Sequence, residues 1–188
     1  MAVSKNNVLT HGLSGTVGDL LVFRNKGGKV IVANKPKERT SEYSEGEKAH
    51  QQLFQRAVLY GKSVLADAER KATYGAAAKE GQSAYNVAVA DFFHATDIDS
   101  IDISGYTGKA GDTIKISVTD NFRVSEVSVG IYNADGTEVE HGAAEQSANP
   151  SEWVFTAKAA NASVGGDRIE GRAYDLPGNE TAKEITSN

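Results

Sequence analysis

The sequence predicts an α+β chain of two modules: a β-hairpin with two or three helices over residues 1–95, then an all-β sandwich over residues 96–188. Three observations predict it. Two short apolar runs, DLLVF at 19–23 and KVIVA at 29–33, flank a segment rich in Gly and Asn. Between residues 45 and 94 apolar side chains recur every three or four positions, the period of a buried helix face. From about residue 96 that spacing gives way to strict alternation, broken by turn signals every 8–12 residues.

The elements follow in order. Gly12, Gly15 and Gly18 suit tight turns or close backbone approach. The runs at 19–23 and 29–33 form a hairpin through Arg24–Gly28, and Pro36 ends the second strand. Both runs are apolar at consecutive positions, so both faces of the ribbon need cover that a lone hairpin lacks. Residues 37–44 are polar and read as a linker. Ser44 and Glu47 have the spacing of a capping box. Ala49, Leu53, Ala57, Tyr60 and Val64 then mark one face of a helix over 45–65. Asp67 caps a second helix over 68–79, which Gly81 stops, and Ser83 caps a third over 84–94.

In the second half, Ile101 and Ile103, then Ile114, Ile116 and Val118, then Val127, Val129 and Ile131, then Trp153 and Phe155 alternate as half-buried strands do. Gly108–Asp112, Asp120-Asn121, Asp135-Gly136, Gly165–Asp167 and Pro177–Asn179 supply the turns. Six to seven short strands in about 90 residues give a sandwich of immunoglobulin size. Residues 119–129 (TDNFRVSEVSV), 133–136 (NADG), 153–156 (WVFT) and 173–181 (AYDLPGNET) resemble a bacterial Ig-like repeat. That resemblance covers about half the chain and implies an Ig-like fold. It implies no one activity, because such modules serve as spacers, adhesins and binding platforms. Residues 12–19 (GLSGTVGD), 22–24 (VFR), 28–32 (GKVIV), 35–36 (KP) and 83–88 (SAYNVA) resemble Bacteroidetes-type proteins of phage or phage-tail-like injection loci. That likeness implies a setting and no chemistry.

Composition removes whole classes of function. With no Cys in 188 residues, disulfide scaffolds, thiolate metal sites, Fe–S clusters and cysteine nucleophiles are excluded. The longest early apolar run is Leu20–Phe23, too short for a signal peptide or a membrane span. The expectation is a protein made in the cytoplasm with no visible signal peptide, and exported, where it is exported, inside or on a particle. No Ser lies in a Gly-x-Ser-x-Gly turn, and no Walker or dinucleotide glycine pattern occurs. Of His11, His50, His94 and His141, none has a supported ligand set at metal spacing; His50 with Glu47 is an i, i+3 helix pair, one ligand set short of a site. The expectation is therefore no catalytic residue, no cofactor and no metal. Asp97, Asp99, Asp120 and Asp175 offer hard oxygen ligands for calcium at the junction. Against that stand a solvated acidic linker and, for Asp120 and Asp175, turn capping through their own backbone.

Charge supplies the binding candidates. Residues 1–39 carry net +5, residues 40–95 net −1 and residues 96–188 net −9. Arg24, Lys26, Lys29, Lys35, Lys37 and Arg39 lie on or beside the hairpin. They read as a surface for an acidic protein partner, as a ribbon tracking nucleic-acid phosphates, or as charged edges that discourage strand pairing. The acidic whole argues against nucleic acid. The function expected is a non-enzymatic structural or interaction protein, a component or cargo of a phage-tail-like injection particle. The alternatives are a nucleic-acid-binding protein and a toxin whose site the sequence hides. A protein partner or a larger assembly, and self-association, fit the apolar surface left on the first half.

Overall fold

The computed structural model describes residues 2–4, 8–26, 28–38 and 40–187. Among the described residues the chain is an α+β fold with three antiparallel four-stranded sheets, and it divides into two compact units, Met1–Leu53 and Phe54–Asn188.

The first unit holds β1 (Ala2–Ser4), β2 (Gly15–Val17), β3 (Leu21–Lys26) and β4 (Lys29–Asn34), in the order β1-β4-β3-β2. β3 and β4 form the expected hairpin, but it is longer than the apolar runs. Lys26 pairs with Lys29 and Leu21 with Asn34, so Arg24, Asn25 and Lys26 belong to the strand and not to the turn. Backbone pairing outweighs their turn-like composition because all three side chains point to solvent and need no core. β1 and β2 add to the two edges of this hairpin and have no counterpart in the apolar pattern. Val30 is the one hydrophobic side chain of this unit that is buried among the described residues.

The helices start where their caps predict. For α1 (Glu45–Ala66), Ser44 N–H donates to the Glu47 carboxylate at 2.8 Å and Glu47 N–H to Ser44 Oγ at 3.3 Å. For α2 (Ala68–Ala76), Asp67 Oδ1 accepts Glu69 N–H and Arg70 N–H, each at 3.0 Å. α3 (Ala84–Phe92) opens on a capping box between Ser83 and Asn86. α2 ends before the expected Gly81, because Lys79 and Gln82 close a turn of their own.

Secondary structure changes from helix to strand at Asp97. The second unit nevertheless includes α2 and α3, because Val64, Tyr74 and Ala88 pack with Phe122 and Leu176 from the turns of the β-region. One sheet runs β5 (Asp97–Asp102), β6 (Thr113–Thr119), β10 (Glu152–Thr156) and β9 (Glu145–Gln146) in spatial order. The other runs β12 (Glu180–Thr186), β11 (Arg168–Asp175), β7 (Val124–Tyr132) and β8 (Glu138–Ala143). The two share one core: Ile98, Ile114, Ile116, Val118, Trp153 and Phe155 on one side, Val127, Val129, Ile131, Ile169 and Ala173 on the other. β11 alternates buried and half-buried at every position, as a strand with one core face does. Opposite Ile101 and Ile116, a β-carbon on Gly171 would lie 3.2 and 3.6 Å from their methyl groups, so the sheets touch closely there.

Two outcomes test this packing. Ile131→Ala removes a fully buried side chain and lowers unfolding free energy by about 2–5 kcal/mol in a denaturant titration. Gly108→Ala forces φ +85° on a residue with a side chain and drives its β-carbon to 2.3 Å from the Asn161 carbonyl, so the midpoint falls further than for an exposed Gly→Ala.

Candidate functional site

The first candidate is the basic hairpin. Strand alternation puts Arg24 and Lys26 on one face of β3, and the register puts Lys29 directly across from Lys26 and Ile31 across from Arg24. The three cations are exposed. Two like charges directly opposite one another disfavour the hairpin unless solvent or an anionic partner screens them. Lys35 differs, since its Nζ lies 2.5 Å from Asp19 Oδ1 in a surface pair. Lys37 is exposed beyond the end of β4, and Arg39 lies outside the described residues. The structure thus brings Arg24, Lys26 and Lys29 together and leaves Lys35 and Lys37 apart from them.

The junction carboxylates are sorted differently. Asp97 and Asp99 are exposed along β5. Asp120 and Asp175 cap turns, as one sequence reading has it. Asp120 Oδ1 accepts Phe122 N–H at 2.6 Å and Arg123 N–H at 3.1 Å. Asp175 accepts Asn179 N–H at 2.6 Å and Asn179 Nδ2–H at 2.7 Å. These turns stand at one end of the sandwich, where the helices pack on Phe122 and Leu176.

There the structure adds a residue the sequence reading missed. Asp91 on α3 is only 1% exposed. Tyr74 OH donates to Asp91 Oδ2 at 2.6 Å, which leaves Tyr60 OH to donate to Tyr74 OH at 2.7 Å. The Tyr74 ring stacks on Phe122 with centroids 4.4 Å apart, and Asn179 Nδ2 donates to the Phe92 carbonyl at 3.2 Å. Helices α1, α2 and α3 therefore meet the two capped turns through one aromatic and carboxyl cluster. The available signal was position: Asp91 follows the buried Ala88 by three residues, on the same helix face.

Burial pushes the Asp91 carboxyl up to about 6, with the Tyr74 hydrogen bond opposing and the charges of Asp120 and Asp175 adding. Burial likewise raises Asp175, against its bonds from Asn179. Tyr74 is raised by burial and by its bonds to Asp91 and Tyr60, so it stays a phenol. Two oxygens of the cluster, Asp91 Oδ1 and Asp120 Oδ2, are buried without a hydrogen-bond partner. Among the described residues no group of three His, Cys, Asp or Glu is placed to hold a metal ion. A cleft of about 510 Å³ opens beside the same turns, lined by Asp120, Phe122, Arg123, Gln146, Trp153 and Leu176 among others.

No family model matches the chain, and no curated protein matches it. Among solved structures, the crystal structure of CopC from Methylosinus trichosporium OB3b aligns with 48% of this chain and 89% of its own, at 19% identity and a TM-score of 0.36. A likeness that weak carries no argument about what this chain does.

Tyr74→Phe tests the cluster. It leaves Asp91 Oδ2 buried without its donor, and a denaturant titration at neutral pH should show a loss of about 1–3 kcal/mol.

Proposed function

We propose that the chain is a non-enzymatic interaction protein whose N-terminal sheet docks on a protein surface within a larger assembly. One observation carries the reading. Among the described residues of the first unit's four-stranded sheet, Val30 is the one fully buried hydrophobic side chain; Leu21, Val22, Phe23, Ile31 and Val32 are half-buried, and Val3 and Val17, with Leu20 beside β3, are 54%, 58% and 76% exposed. A small sheet without a core of its own is marginal in water, and a protein partner supplies the missing cover. Arg24, Lys26 and Lys29 on one face would set the register of docking and its rate against an acidic surface.

The second module reads as an Ig-like sandwich. The orders β5-β6-β10-β9 and β12-β11-β7-β8 match the A-B-E-D and G-F-C-C′ sheets of that fold, with connections in the same sequence. Such a scaffold presents variable loops and has no chemistry of its own. The resemblance of the first half to proteins of phage-tail-like injection loci makes a particle of that kind the assembly proposed, with this chain as component or cargo.

Nucleic acid is the second reading, favoured by three cations sharing one ribbon face. One double variant separates the two. Lys26→Glu with Lys29→Glu should abolish capture of particle proteins in a pull-down from the native source, with or without nuclease. Binding of wild type to duplex DNA should be absent at physiological salt. DNA affinity that falls steeply with salt and vanishes in the same variant would instead establish the nucleic-acid reading. A wild-type chain that stays monomeric and captures no particle protein would sink the first.

A further inference from the structure

We propose that Asp91 is a proton-operated latch, which in its neutral form holds α2 and α3 on the Asp120 and Asp175 turns and on ionising releases them. Asp91 is sealed from solvent where three helices meet the end of the sandwich. Its Oδ2 is held by Tyr74, whose ring is stacked on Phe122 of the β6–β7 turn. Its Oδ1 has no partner, and neither has Oδ2 of Asp120. Buried acceptors left over on two neighbouring acids are what one added proton relieves: it removes a charge and supplies a donor where the cluster has a surplus of acceptors.

The surroundings say which way the balance lies. Tyr74 faces Asp91 from α2, with Tyr60 of α1 behind it. The Asp120 turn and the Asp175 turn each bring a carboxylate that disfavours the charge on Asp91. No lysine or arginine is among the groups that act on it. Arg70 pairs with Asp67, its Nε 2.9 Å from Oδ2, and its charge acts on Tyr60 and Tyr74; Arg56 sits over the Phe92 ring at 5.8 Å, and Lys62 and Lys71 are exposed. His94, three residues on from Asp91, is exposed. A buried carboxylate beside two others and beside no cation has only the Tyr74 hydrogen bond to offset the cost of its charge.

The sign follows. The pKa of Asp91 in the folded chain, about 6, lies above the ordinary 3.8. The stability that its neutral form contributes is complete below the ordinary value and is lost as pH rises through about 6. The interval between the two values bounds the effect: the closed state weakens relative to the open one by at most on the order of 100-fold. Asp175, also raised by burial, works in the same direction. The elements released would be those held mainly through this cluster, while the sandwich core, which it does not enter, stays closed.

Hydrogen exchange of the full chain, read by mass spectrometry at pH 5, 6, 7 and 8 and corrected for intrinsic rates, tests the latch. Protection of α2 and α3 should fall several-fold across pH 6, while β6, β7 and β11 keep theirs. Asp91→Asn, which keeps the acceptor for Tyr74 and adds donors without a charge, should remove most of that pH response and leave only the smaller part due to Asp175. His94→Gln should leave it intact. Should Asp91→Asn fail to fold, carbon NMR of Asp-labelled wild type replaces it, with one carboxyl titrating near pH 6 expected. Unchanged protection across the range would overturn the latch, as would a response that Asp91→Asn retains in full, one that His94→Gln removes, or carboxyls that all titrate below 5. So would protection restored at pH 8 by millimolar calcium in wild type and not in Asp91→Asn, which would make the occupant of the cluster a cation and not a proton.

Discussion

The shared core of the two sheets is the constraint on which the second unit depends. Ile114, Ile116 and Val118 on β6 pack with Val127, Val129 and Ile131 on β7, and the connection between them, 120–123, turns at the end of the sandwich. Because side chains in a strand alternate strictly, burying these six leaves no freedom of register. The position of Phe122 follows, and so does the surface on which Tyr74 stacks. The Asp175 turn is placed in the same way, by β11 pairing with both β7 and β12. The helices then add to an end that the sandwich has already shaped.

That end trades stability against charge. Capping each turn with an aspartate satisfies two backbone or side-chain donors at close range. It also gathers negative charge around a third aspartate that packing has sealed. Hydrogen bonds from Tyr74 and from Asn179 offset part of that cost at Asp91 and at Asp175. The first unit has the opposite problem. Its charges are exposed and cheap, while its apolar side chains, Val30 apart, are half-buried in the hairpin or, as Val3, Val17 and Leu20 are, exposed.

Much of the local structure was legible because it rests on short-range rules. Ser44 with Glu47, Asp67 and Ser83 mark helix starts through hydrogen bonds to residues two or three positions on. β6, β7 and β10 show in their alternation because one face of each is wholly apolar. β8 and β9 do not: the first is polar along an edge and the second is two residues long. β1 and β2 are three residues each, and they exist because the hairpin offers two edges to pair with. The basic residues were legible as a group. Which of them share a face was not, since it depends on the hairpin reaching Lys26 and Lys29.

The sequence by itself determined the helix caps, the change of period near residue 96, the absence of thiol chemistry and the division of charge between the ends of the chain. Each of these depends on neighbours within a few residues or on composition alone. Only the tertiary structure decided that Asp91, Asp120 and Asp175 share one neighbourhood, and that α2 and α3 belong with the sandwich. These residues are 29 to 84 positions apart in the chain. A carboxyl group's chemistry depends on what surrounds it, and no local pattern records which turns will close around a helix.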